Sequence, residues 1–90
     1  VDDESFTAGR ARIPLRHVGE VTVLDAEQTR RLAGVDADAR AYLCTRGSTP
    51  TAVRVEVDDD ADPTPYWLVS TAHPRRLRDA LLAARDRRTA

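Results

Sequence analysis

Three groups of residues in this chain have types and spacings from which chemistry could be built. Near the N-terminus stand Arg10, Arg12, Arg16 and His17. Clustered around a concave pocket, they would bind a small ligand or a lipid headgroup. Spread evenly along a solvated strand, they would argue against such binding. Cys44 with His17 or His73 has the makings of a nucleophile and base. However, one cysteine and two histidines in 90 residues produce such a pairing by chance. Cys44 falls in a stretch that reads as strand, where a small packed hydrophobe is the expected role. His73 precedes a proline at a helix start, where a turn role is adequate. Asp58, Asp60 and Asp62 have the alternate spacing that opens a calcium loop. Pro63 occupies the place that needs glycine, and Val69 stands where the bidentate glutamate belongs. An acidic, proline-ended hairpin loop is the better reading. The chain has no glycine-rich phosphate loop, no CxxC and no histidine-rich ligand set. The expectation is therefore no catalytic residue, no metal site and no cofactor.

Composition bounds what could position these residues. Ninety residues make one small domain, 1–90, with a single core. The chain is 41% hydrophobic and 32% charged, ordinary values for a soluble globular protein. A formal net charge of -1 gives no field that favours nucleic acid or an anionic membrane. All 14 basic residues are arginine, which reads as coding bias rather than as fourteen bidentate sites. One cysteine excludes an internal disulfide and fits a reducing compartment. The longest apolar run, Ala80–Ala84, falls far short of the roughly 20 residues a membrane span needs. The acidic opening (Asp2, Asp3, Glu4) does not resemble a signal peptide. A first residue other than methionine suggests a piece of a longer chain.

In "GRARIPLRHVGEVTVLD" (Gly9–Asp25), Ile13 and Leu15 share one strand face while Arg12 and Arg16 share the other. Pro14 removes a ladder hydrogen bond and predicts an edge or a bend. Val21 and Val23 resume the alternation after a bulge or bend at Val18–Gly19. Asp25 and Gln28 have capping-box spacing, predicting a short, mostly exposed helix over 26–33 that stops at Gly34. A strand over 41–45 follows, then "AVRVEV" with Val53, Val55 and Val57 inward. "YWLVST" (Tyr66–Thr71) is the last strand, with Trp67 and Val69 on one face. The terminal helix opens on Pro74 and carries Leu77, Leu81 and Ala84 as its apolar stripe, with Ala80 beside them. Its arginines (Arg75, Arg76, Arg78, Arg85, Arg87 and Arg88) form a solvated face, with no aromatic residues to stack on nucleic acid. Only this helix offers enough apolar surface to cover the sheet. The predicted fold is α+β: a small, bent, mostly antiparallel sheet capped by the C-terminal helix. Its predicted core is Ile13, Leu15, Val21, Val23, Leu43, Val53, Val55, Val57, Trp67, Val69, Leu77 and Leu81.

The segments "GRARIPLRHVGEV", "DAEQTRRL", "DARAYL", "AVRVEV" and "DPTPYWLVST" together resemble the DUF3093 family of actinobacterial proteins. The resemblance runs from Gly9 to about Ala84, and "DPTPYWLVST" is its most specific piece. It implies a membrane protein of unknown function, with two hydrophobic helices preceding a domain like this one. It supplies no catalytic or ligand residues. Gly47 and Ser48 stand where members often have a proline and an aromatic after the arginine matching Arg46, so a surface built on that aromatic is not expected here. More loosely, the pattern resembles bacterial PH-like domains, in which a terminal helix plugs a bent or roll-like sheet.

Three functions are compatible with these residues. The first is a non-enzymatic interaction domain at the cytoplasmic face of the cell membrane, with a protein partner. It would be held by helices outside this stretch rather than by its own affinity for lipid. The second is a lipid-headgroup or small-ligand binder using Arg10, Arg12, Arg16 and His17. The third is an enzyme, which would need a pocketed titratable pair that the sequence does not display.

Overall fold

The computed structural model describes residues 4–89, with side chains described as far as residue 87. Asp2, Asp3 and the Arg88 side chain, named above for their charge, lie outside the described residues. Strands β1 (Ser5–Ala8) and β2 (Ala11–Pro14) pair as an antiparallel hairpin. A single 3-10 turn, Leu15–His17, leads into β3 (Val18–Leu24) and then α1 (Ala26–Ala33). Strands β4 (Tyr42–Cys44), β5 (Ala52–Val57) and β6 (Tyr66–Ser70) follow, and α2 (Pro74–Thr89) closes the chain. The fold is α+β, with the terminal helix where its sequence placed it.

Strands β3 to β6 form one open sheet in the order β3-β5-β6-β4. The β3–β5 and β5–β6 pairs are antiparallel, whereas β4 runs parallel to β6. It follows that β3 and β4 point the same way at opposite edges. Two parallel strands cannot be joined by a tight turn and need a crossover, commonly a helix. Helix α1 supplies it. Asp25 caps α1 through a complete capping box: the Gln28 N–H donates to Asp25 Oδ1 at 2.8 Å, and the Asp25 N–H donates to Gln28 Oε1 at 2.9 Å. The turn into β4 is fixed by Asp38, whose carboxylate accepts from the Arg40 N–H at 2.9 Å. That N–H first, and the Arg40 side chain second, hold the Asp38 carboxyl below its ordinary range.

Both faces of the sheet are covered. On one, Val21, Val55 and Trp67 are successive cross-strand neighbours, and so are Val53 and Val69. Helix α2 covers this face over β3 and β5 through Leu81 and Ala84, while hairpin residues Phe6 and Ile13 join the same cluster. Trp67 is only 5% exposed. Its nearest rings are Phe6, with centroids 5.7 Å apart, and Tyr42, at 5.1 Å. The second face holds a smaller cluster of Leu24, Ala52, Tyr66 and Leu68, with Leu32 of α1 and Ala41 packed against it.

Several expectations need correction. Leu43 is 40% exposed, not core, because it lies on the second face of the edge strand β4. Its neighbours Tyr42 and Cys44 face the main core instead. Val23, Val57 and Leu77 are only half-buried, and Ala80 is exposed. Leu24 and Leu68, which the predicted core leaves out, are buried beneath the α1 crossover. Helix α1 is short and mostly exposed, as expected, but its buried face, Thr29 with the half-buried Leu32, turns to the sheet. Leu15 is buried, but from the 3-10 turn rather than from a strand. That turn makes the bend after Pro14, and the expected bulge sits inside β3, between Val18 and Val21. Strand β1 had no counterpart in the sequence reading.

The hairpin is clamped to the sheet at Gly9, whose φ of 60° suits the tight turn. The Tyr42 hydroxyl donates to the Ala8 carbonyl at 2.9 Å, and a Cβ on Gly9 would stand 2.6 Å from that hydroxyl oxygen. The ring of that tyrosine packs against Trp67. Replacing Trp67 with Ala should cost about 3–5 kcal/mol, read as a shift in the urea midpoint. Wild-type emission should be blue-shifted; a maximum typical of indole in water would contradict the packing.

Candidate functional site

The residues singled out for chemistry are separated by the fold. Arg10 is exposed at the tip of the β1–β2 turn. His17 turns toward the acidic loop that follows β5. The Asp58 N–H donates to the His17 carbonyl at 2.7 Å. His17 Nδ1 lies 3.0 Å from the Asp58 carbonyl oxygen, a bond made by the tautomer protonated at Nδ1. His17 Nε2 is 3.8 Å from Asp59 Oδ2. His17 thus latches the 3-10 turn to the loop. Arg12 and Arg16, by contrast, face a common cleft of about 260 Å³, lined also by Glu4, Ser5 and Pro14. Ser5 is buried, and Arg12 Nε donates to its Oγ at 2.8 Å.

A larger open groove of about 780 Å³ adjoins this cleft and shares Arg16 with it. One side is β3, through Val18, Gly19, Glu20 and Val21; the other is α2, through Leu82 and Arg85. Asp58 also lines the groove. Val18 and Val21 are three apart yet both enter the core, so the extra residue of the bulge falls at Gly19–Glu20. Arg85 Nη1 donates to the Gly19 carbonyl at 2.7 Å and so ties the last turns of α2 to the bulge. β3 has only β5 beside it, which leaves its outer edge without a strand partner. The groove therefore combines a hydrophobic floor, charges of both signs and a strand edge.

The other candidate chemistry is not assembled. Cys44 borders a separate concavity with Gly9, Thr49 and Ser70, and neither histidine lines it. Two of the loop carboxylates are used on their own backbone. Asp59 Oδ1 accepts from the Ala61 N–H at 3.0 Å, and Asp62 Oδ1 accepts from the Thr64 N–H at 2.9 Å. Among the described residues, no three His, Cys, Asp or Glu side chains gather as a metal set would. Among them, too, no helix is long and apolar enough to cross a membrane.

Glu20, Leu82 and Arg85 belong to the site but were not singled out in the sequence. Arg85 had a signal: it lies one helical turn beyond Leu81, on the buried stripe, where an arginine must find a partner. Nothing local marks Glu20 or Leu82.

Over residues 1–81 the chain matches the family described as protein of unknown function (DUF3093), and it belongs to that family. No curated protein and no solved structure matches it.

Because Arg85 bridges α2 and the bulge, Arg85→Met should destabilise the domain by about 1–3 kcal/mol while keeping most of the apolar stem. Amide exchange at residues 19–20 and in the last turns of α2 should quicken. Wild-type stability and exchange in this variant would show that the bond is incidental.

Proposed function

We propose that this DUF3093 member is a non-enzymatic interaction domain that receives a protein partner in the groove between β3 and α2. The observation that supports the reading is the composition of that groove. An unpaired strand edge can accept an extended backbone, and Val18, Val21 and Leu82 offer apolar contact. Arg16, Glu20 and Asp58 add charges of both signs, which suits a polypeptide better than a small apolar ligand. His17 and Asp59, which do not line the groove, are spent on the loop that they pin, which supports a structural role for both.

The domain works at the cytoplasmic face of an actinobacterial membrane in this reading, held there by hydrophobic helices elsewhere in its full-length protein. The family pattern of helices preceding such a domain motivates that placement. Tethering would supply a high effective concentration at the membrane without any lipid affinity in the domain itself.

A second reading, binding of a small ligand or lipid headgroup, is favoured by one observation: Arg12 and Arg16 share a cleft. Arg10 and His17 no longer belong to it.

The interaction reading is tested by affinity capture of the full-length membrane protein from its native host, with groove variants in parallel. A single reproducible partner should be retained by wild type and lost from Glu20→Arg and Arg16→Glu. Both positions are exposed, so folding should persist, as circular dichroism would verify. Recovery of the same partner from both variants would place the interface elsewhere and overturn the reading.

A further inference from the structure

We infer that the cleft between Arg12 and Arg16 is a binding site for a phosphate group. This rests on the ligand-binding reading and names the chemistry that the cleft would select. Three observations carry it.

The first is preorganisation. Arg12 comes from β2 and lies against the buried Ser5, whose Oγ takes its Nε–H. That bond fixes the guanidinium plane and leaves the two terminal amino groups to donate elsewhere. A side chain already ordered in the free protein loses less entropy when it binds. Arg16 comes from a different element, the 3-10 turn, and Pro14 holds the spacing between them with its fixed φ.

The second is unspent charge. Among the described residues, neither Arg12 nor Arg16 forms an ion pair, whereas Arg31, Arg40, Arg54, Arg78 and Arg85 all do. Glu4 lines the same cleft and opposes the two guanidiniums. Among the described residues the lining carries two positive charges and one negative, so it attracts an anion.

The third is geometry. A planar carboxylate is satisfied by one bidentate guanidinium. Two guanidiniums presented from two elements suit an anion whose acceptors do not share a plane, as in a tetrahedral phosphate. A cleft of about 260 Å³ admits a phosphate with a small substituent and little more. A phosphorylated small molecule and the headgroup of a phosphorylated lipid present the same chemistry here.

The test is NMR titration of the domain with inorganic phosphate, glycerol 3-phosphate and citrate. Sedimentation is run alongside with phosphatidylcholine vesicles containing a phosphoinositide. Phosphate and glycerol 3-phosphate should shift the Ser5 amide and the Arg12 and Arg16 Nε–H resonances. Arg12→Gln and Arg16→Gln should each weaken binding about tenfold. Glu4→Gln should tighten it, which a merely structural role for the arginines would not produce. Sedimentation that depends on Arg12 assigns the phosphate to a lipid, and binding of soluble phosphates alone assigns it to a small molecule. Both results support the site. If citrate shifts these resonances and the phosphates do not, the phosphate inference fails while the ligand-binding reading stands. If no probe shifts them, or if shifts survive both arginine variants, the cleft is not a site and both fall.

Discussion

The structure depends on a central pair of strands that is apolar on both faces. Val55 stands opposite Trp67 and Val53 opposite Val69, while Ala52, Tyr66 and Leu68 are buried on the reverse side. A sheet with two apolar faces needs two covers. A chain of ninety residues has little mass to provide them. One cover is composite: helix α2 reaches over β3 and β5, and the β1–β2 hairpin closes on Phe6, Ile13 and Trp67. The other is the crossover itself, which carries the chain to β4 and lays Leu32 and Ala41 on Leu24 and Leu68. Covering the second face and joining two parallel edge strands are thus achieved by one segment.

That double burial explains where sequence reasoning succeeded and where it stopped. Elements with local signals were legible: the capping box at Asp25 and Gln28, the alternation of "AVRVEV", Pro74 at the first turn of α2, and the interruption near Gly19. The second core was not, because Arg54 and Glu56 make the outer face of β5 look solvated. In the fold, the Arg54 guanidinium lies 4.4 Å above the Tyr66 ring, and its Nη2 is 3.6 Å from Glu56 Oε1. Its Nε is buried without a partner. The arginine behaves as a lid over an aromatic ring, with stem and guanidinium plane acting as cover. Alternation alone cannot distinguish such a residue from a solvated one. The exposure of Leu43 has the complementary cause, since α1 packs over β3 and β6 rather than over the β4 edge.

The candidate site was legible only in part, for the same reason. Arg12 and Arg16 were read as one face of a continuous strand, and they do converge, but through a 3-10 turn rather than a pleat. His17 follows Arg16 by one residue, and that turn rotates it away to the Asp58–Asp59 loop. Arg10 sits on the far end of a hairpin whose other strand, "SFTA", is too short to announce itself by periodicity. Four residues close in sequence therefore serve three places in space.

Both concavities open beside the 3-10 turn, at the seam between the hairpin and the rest of the fold, and share Arg16 of that turn, which follows from how the covering is done. A hairpin and a helix laid side by side on one sheet face cannot meet flush, and the 3-10 turn that joins the hairpin to β3 fills only part of the gap. Leu15 plugs that seam from within, with no exposed surface at all. Outside Leu15 the seam stays open, toward α2 as the groove and toward the hairpin as the cleft, with Arg16 between them. The bulge adds a backbone carbonyl at Gly19, and α2 answers it with Arg85 rather than with apolar packing. A charge-assisted bond of this kind is directional, so it sets the position of α2 along β3 more sharply than leucine contacts can. Leu81 and Ala84 hold α2 on the sheet, and the Arg85 bond to the Gly19 carbonyl ties the two walls of the groove to each other, so anything that competes for that carbonyl also loosens the groove.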